Sequence, residues 1–336
     1  MKEAFLYDRL EENKVRCRLC SHYCQIAPGQ RGQCGVRENQ EGVLYSLVFG
    51  LPVAQHVDPI EKKPLFHFLP GSPSYSIATV GCNMTCRHCQ NADISQMPGN
   101  QKRIVGQEVR PRQVVAQAEA QGCTSISYTY TEPTVFGEYV FETAQLAQAR
   151  GLKNVMVTNG YQSPEAVDKL GPVIDGANVD LKAFSDRFYQ DICGARLKPV
   201  LKAIMGLKER GVWLELTTLL IPGLNDSPQE LTELAGWIAA NPGPQTPWHI
   251  SRFHPTYRLT DRPATPASSL TRAFDIGQAA GLSYVYLGNV PGQGGETTFC
   301  RRCGTELISR LGFAVTRNRL KDGACPQCGT PLDGIF

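Results

Sequence analysis

Three cysteines fall within eight positions of "GCNMTCRHCQN" (residues 81–91): Cys82, Cys86 and Cys89. Thiolates are soft ligands, suited to zinc or to iron–sulfur clusters. A four-iron cluster normally takes four cysteines, one for each iron. Three would leave one iron without a protein thiolate. A small molecule could then chelate it, just as a catalytic zinc keeps open a position that a structural zinc closes. The bland alternatives are a zinc ion with His88 as fourth ligand, awkward because His88 adjoins Cys89, and three core cysteines on one helical face.

Two further groups account for most of the thirteen cysteines. The tail carries "CRRCG" and "CPQCG" (Cys300, Cys303, Cys325, Cys328) with 21 residues between the pairs. Two such knuckles read as a zinc ribbon, each glycine letting the backbone turn its amides toward the thiolates. The head carries Cys17, Cys20, Cys24 and Cys34, four ligands for a closed site that takes zinc or an auxiliary iron–sulfur cluster, with His22 as a possible substitute. Cys123 and Cys193 stand alone and read as small buried residues. Spacings of this kind, with no export signal at the start, argue for metal binding over a disulfide framework.

The elements that must position these groups are legible in the middle of the chain. Strands are expected at 75–81, 125–131, 154–159, 177–182, 213–221, 248–253 and 284–289. Helical segments alternate with them, several opening on proline or a capping serine and ending at glycine. This alternation implies parallel β/α units. Seven strands are too few for the complete eightfold barrel, so the fold class is α/β, an open partial (β/α)6 barrel; a doubly wound sheet is the other possibility. Either fold puts its ligand site at the carboxyl ends of the strands. Thr131–Glu132, Thr158–Asn159–Gly160, Asp180, Lys182 and His254 all fall there, as does the three-cysteine loop.

The order of "GCNMTCRHCQN", "YTEPT", "TNGY", "DLKAF" and "RFHP" resembles the radical S-adenosylmethionine enzymes, and within them the activases of glycyl-radical enzymes such as pyruvate formate-lyase. The resemblance implies a [4Fe-4S] cluster on Cys82, Cys86 and Cys89, whose open iron binds S-adenosylmethionine. It implies that Asn91 helps hold that cofactor, that Glu132 receives its amino group, that Asp180 and Lys182 meet its amino acid end and that His254 lies near the adenine. Glu215 and Thr217 are implied near the ribose. On chemistry alone, Asp180 and Lys182, two apart on a strand, could equally pair with each other. Two departures stand out: Tyr130 and Thr131 replace the glycines that usually precede the glutamate, and Val157 replaces an aspartate.

Head, "DPIEKKPLFHFLPGS", "LELTTLLIPGLNDS" and tail together resemble the radical component of the AmmeMemoRadiSam system, which implies AMMECR1-like and MEMO-like partners. Reductive cleavage needs a one-electron donor such as flavodoxin or ferredoxin. The segment 61–68 is expected across the barrel mouth, where Lys62, Lys63 and His67 could face substrate. Expected units are 1–70 (cysteine-rich head), 71–295 (barrel) and 296–336 (ribbon). The net charge of +3 is too weak to argue for nucleic acid, and no apolar run approaches the ~20 residues of a membrane span, so the expectation is a cytoplasmic enzyme. The competing reading is a non-catalytic, zinc-stapled adaptor.

Overall fold

The computed structural model describes residues 1–288 and 295–336. All seven expected strands form, six of them slightly shorter than expected and the one at Lys153–Thr158 of equal length, shifted by one residue; Asn289, at the end of the last expected strand, lies outside the described residues. Preceded by an unexpected strand β1 (Ala54–Pro59), they are β2 (Pro73–Ala78), β3 (Ser125–Tyr128), β4 (Lys153–Thr158), β5 (Gly176–Asp180), β6 (Trp213–Leu220), β7 (Trp248–Arg252) and β8 (Val285–Gly288). From β2 to β8 every neighbouring pair is parallel and the strands lie in chain order. A doubly wound sheet would reverse order at a switch point, so this is the partial barrel. β1 pairs antiparallel with β2 and caps that edge. Its sequence "AQHVDP" lacks a clean alternation, and its proline is tolerated because it ends an edge strand.

Six helices make the crossovers: α1 (Pro111–Ala120), α2 (Gly137–Gln148), α3 (Pro164–Leu170), α4 (Leu197–Glu209), α5 (Pro228–Ala240) and α6 (Ala267–Ala279). Ser163 and Ser227 cap α3 and α5 by accepting from the amides of Ala166 and Glu230, each just before a proline in the first turn. One strand face packs on these helices, where Val, Ile, Leu and Ala are buried. The inner face is polar: Ser76, Asn178, Thr217 and His249 all hydrogen-bond to other side chains there. Barrel interiors of this kind are ordinarily filled by branched apolar layers. Among the described residues no helix is long and apolar enough to cross a membrane.

The segment 61–68 corrects an expectation. It closes the amino-terminal end of the barrel, opposite the mouth. Asn178 donates to the Pro64 carbonyl (2.8 Å), and Phe68 lies against Gly176, where an added Cβ would stand 2.8 Å from its ring. Leu65, Phe66 and Phe68 need an apolar seat, which the strand starts supply and the polar mouth does not. His67 is accordingly buried, between the Asp333 carbonyl and the Tyr286 hydroxyl at 2.6 Å each, rather than facing a substrate.

The ribbon docks on this same end. Fully buried Arg310 donates to the Phe66 carbonyl (2.6 Å), stacks on the Phe66 ring (4.2 Å) and pairs with Glu61. The head sits elsewhere, on α2 and α3. There Arg37 makes a buried two-point pair with Glu138 (2.7 and 2.9 Å), and the Phe5 amide donates to the same carboxylate.

Candidate active site at the carboxyl ends of the strands

The loop that follows β2 carries the three cysteines without regular structure and is fixed from outside. The Thr85 and Arg87 amides donate to the carbonyls of Cys193 and Ile192, and Asn83 donates to the Tyr161 carbonyl. Gly194 next door takes φ +68°, and a Cβ there would stand 2.4 Å from Thr85 Oγ1. Only glycine fits without displacing the loop.

Two of the three sulfurs have hydrogen-bond partners of their own. The Met84 amide (3.4 Å) and Asn159 Nδ2 (3.6 Å) point at Cys82, and the Ser95 hydroxyl lies 3.2 Å from Cys89. Cys193, read from sequence as an isolated core residue, sits beside Cys86, their sulfurs within 4.8 Å of each other. Interaction with the Cys193 thiol, with Lys182 assisting against burial, holds the Cys86 thiol below its ordinary range. Burial pushes Cys82 and Cys89 up instead, with the nearby Glu132 adding to the rise at Cys82. Such thiols ionise only when a cation takes the proton's place, as metal binding does.

Two ligand sets compete here. Cys86, His88 and Cys193 offer ligand atoms within 4.8 Å of one another, whereas Cys82, Cys86 and Cys89 do not form so tight a group. A single ion would suit the first set. A four-iron cluster, interposing its own irons and sulfides, suits the wider one. Burial pushes His88 down to about 3, so its ring is a neutral imidazole at pH 7.

Around the loop, Asn91 donates to the Tyr130 carbonyl (2.8 Å) and thereby joins the rim after β3. Tyr130 takes φ +62°, the left-handed conformation that glycine ordinarily supplies, so the turn survives the loss of the glycines. Its ring lies under Lys63 Nζ (4.7 Å) and its hydroxyl bonds to Asp58. Asp58 also binds Lys62 (2.8 Å) and Lys63 (2.6 Å), which places both lysines beside the chamber wall.

Glu132 is buried and its oxygens are occupied. They accept from the Thr134 amide and hydroxyl (3.0 and 2.5 Å), the Thr158 hydroxyl (2.8 Å) and the Asn159 amide (2.8 Å). The carboxylate ties the ends of β3 and β4 together, leaving backbone carbonyls to face a ligand. Asp180 and Lys182 do pair, at 2.8 Å. Burial would lower Lys182, but Asp180 and then Cys86 and Cys193 hold it well above its ordinary value, a fixed cation beside the cysteine loop.

Thr217, level with Asp180, donates to Asn178 (2.9 Å). Glu215 lies two residues deeper and accepts from the Phe66 and His67 amides (2.9 and 2.8 Å), Trp213 Nε1 (3.1 Å) and His249 Nε2 (2.7 Å). His254 is exposed beyond β7. The structure thus gathers Asn91, Asp180 and Lys182 near the cysteines, sets Thr217 below them, and buries Glu132 and Glu215 in the frame. Sequence reasoning placed Asn159 on the rim through "TNGY" but gave it no role, and nothing in the sequence signalled Cys193.

In the tail, Cys300 and Cys328, and Cys303 and Cys325, stand 3.6 Å apart, with all four sulfurs within 4.8 Å of one another. Gly304 and Gly329 take φ +71° and +69° at the two knuckles, as the ribbon requires.

The Radical SAM superfamily profile matches residues 76–235, from β2 into α5. An uncharacterised protein of Methanocaldococcus jannaschii is 43% identical over 338 aligned positions, covering all of both chains. A pyruvate formate-lyase-activating enzyme from Streptococcus mutans is 23% identical over 47% of this chain and 63% of its own. Among solved structures, a radical SAM methyltransferase from Sphaerobacter thermophilus superposes with a TM-score of 0.51 at 16% identity, over 66% of this chain and 68% of its own, a likeness of fold. With its cysteine loop at the mouth of a partial barrel, the chain belongs to the radical SAM superfamily.

Proposed function

We propose that this chain holds a [4Fe-4S] cluster on Cys82, Cys86 and Cys89 and uses S-adenosylmethionine bound beside it to abstract hydrogen from a substrate in the polar barrel. The supporting observation is the loop itself: three thiols at the mouth, with Asn159 and Ser95 beside Cys82 and Cys89 and the Lys182 cation close by. What the bound group supplies is one electron, enough to cleave the sulfonium to a 5′-deoxyadenosyl radical.

The chain's own residues bind and orient. Lys182 offers a cation to the cofactor's carboxylate, and the carbonyls of Tyr130 and Thr131, with Asn91 and Asp180, offer acceptors to its amino acid end. Thr217 and His254 stand farther along for ribose and adenine. Glu132 and Glu215 act by positioning the strands that carry these groups. The electron comes from a one-electron donor of the flavodoxin or ferredoxin kind.

The substrate is either a glycine of a partner enzyme, as the activase likeness suggests, or a small molecule or peptide. The paired Lys62, Lys63 and Asp58 favour the second, because they give the barrel wall fixed charges that a glycine-bearing loop does not need. AMMECR1-like and MEMO-like proteins are partners consistent with either, and a zinc ion completes the tail ribbon.

The test is dithionite-driven cleavage by the anaerobically reconstituted full chain, with 5′-deoxyadenosine quantified. Product from wild type and none from Cys89→Ala is expected. No product from a wild type that carries its iron overturns the reading and returns the adaptor.

A further inference from the structure

The head cysteines line a small cavity. Its walls are Cys17, Cys20, Cys24 and Cys34, with His22, Gly32, Arg37 and Val135 among the remaining lining residues. A hairpin of Val15–Cys17 and Gln25–Ile26 brings the first three together, the Cys17 amide donating to the Cys24 carbonyl at 2.9 Å. Gly32 comes close enough that a Cβ would lie 3.7 Å from Cys24 Sγ. Burial pushes the thiols of Cys20, Cys24 and Cys34 up, and their neighbours' sulfurs add to it. Arg37 is 2% exposed; its terminal nitrogens hold Glu138, but its Nε, on a side chain lining the cavity, is without a partner. Four thiols and a buried guanidinium N–H with nothing to bind form a site built for an anionic, thiolate-held group.

The spacing says which group. Tetrahedral zinc at about 2.3 Å from each sulfur holds its sulfurs about 3.8 Å apart. The tail meets that requirement. Among the described residues the head cysteines contribute no three ligand atoms within 4.8 Å of one another, and neither do Cys82, Cys86 and Cys89. One chain therefore contains both patterns, and the head shares the wider one with the catalytic loop.

We propose that Cys17, Cys20, Cys24 and Cys34 hold a second [4Fe-4S] cluster, not zinc. With four thiolates it has no open iron, so it binds no S-adenosylmethionine. Its placement is against the mouth. His22 Nε2 donates to the Asn83 carbonyl at 2.6 Å, inside the cysteine loop, and the Cys34 carbonyl would stand 3.2 Å from a Cβ on Gly81, next to Cys82.

The experiment uses the full chain with Cys86→Ala, which leaves the head untouched, after anaerobic reconstitution with iron and sulfide. Iron and zinc are quantified, and the reduced protein's electron paramagnetic resonance is recorded with and without S-adenosylmethionine. About four irons and one zinc should remain per chain, with a cluster spectrum that S-adenosylmethionine does not change. Adding Cys20→Ala and Cys24→Ala to that variant should remove the remaining iron and leave the zinc. A Cys86→Ala protein with two zincs and no iron overturns the proposal, as does one with a single zinc and no iron. Cofactor cleavage by the wild type is a separate readout, so failure of the catalytic reading is distinguishable from failure of this one.

Discussion

Replacing Glu215 by glutamine separates a framework carboxylate from a ribose ligand. The carboxylate accepts from four donors, two on each oxygen: His67 N and Trp213 Nε1 on one, Phe66 N and His249 Nε2 on the other. Burial would raise this acid, but His249, His67 and the backbone donors hold it below its ordinary value, so it is ionised at neutral pH. Glutamine keeps one acceptor oxygen and turns an NH2 toward the other two donors. His249 can switch tautomer and accept from that NH2, but the Phe66 amide cannot. One or two charge-assisted bonds are lost, at about 1.5–3 kcal/mol each, so Glu215→Gln should destabilise the chain by about 2–5 kcal/mol. Anaerobic urea denaturation measures this, and equilibrium dialysis measures S-adenosylmethionine affinity in the folded variant, expected within about twofold of wild type. A variant as stable as wild type that binds S-adenosylmethionine tenfold more weakly, a loss of about 1.4 kcal/mol, refutes the assignment.

Cys193→Ala should keep the catalytic cluster's irons but lower its midpoint potential, because a polar thiol beside a ligating sulfur is removed; loss of the iron would make Cys193 a ligand. Gly160→Ala places a methyl 2.8 Å from Val179 Cγ1 and 3.1 Å from Val200 Cγ1 at φ +69°, so it should cost about 2–5 kcal/mol in urea denaturation; a cost below 1 kcal/mol contradicts the packing. Cys325→Ala should release the tail's metal and lower the melting temperature while leaving 5′-deoxyadenosine formation per folded molecule intact. Burial pushes His67 down to about 4. The unfolded chain takes up a proton below about pH 6.5 that the folded chain refuses until about 4, so stability should fall by up to about 3 kcal/mol as pH drops through that window. His67→Gln should flatten the dependence, and an unchanged slope refutes it.

The barrel was legible because each parallel strand is a short apolar run closed by a glycine, proline or helix cap, and those are local signals. β1 was not, since Asp58 is the one buried residue of its six, so the strand carries no apolar pattern. The cysteine loop was legible from spacing alone. The roles of Glu132 and Glu215 were not, because a carboxylate's partners are settled by distant backbone: Phe66 lies 149 residues from Glu215. The same applies to 61–68, whose aromatic pair fits either end of a barrel until the polarity of each end is known. Cys193 reads as an ordinary core residue until the turn before Gly194 brings it to Cys86.

The two flanking cysteine sites serve different ends of the barrel, and their surroundings differ accordingly. The ribbon meets the amino-terminal plug through Arg310, whose guanidinium binds the very segment that Glu215 holds by its amides. A metal there fixes the floor of the chamber and touches no group at the mouth. The head instead bonds to the catalytic loop through His22 and Asn83, and to the "TNGY" turn through Ser21, which donates to the Gln162 carbonyl at 2.6 Å. Cysteine substitutions in the head are therefore expected to disturb the loop that holds Cys82, and substitutions in the tail to leave it in place. A ligand bound at either site would raise stability by mass action, and the head's contacts predict that only head substitutions also lower cofactor cleavage. That asymmetry follows from where each site docks, and the spacing of the sulfurs points the same way.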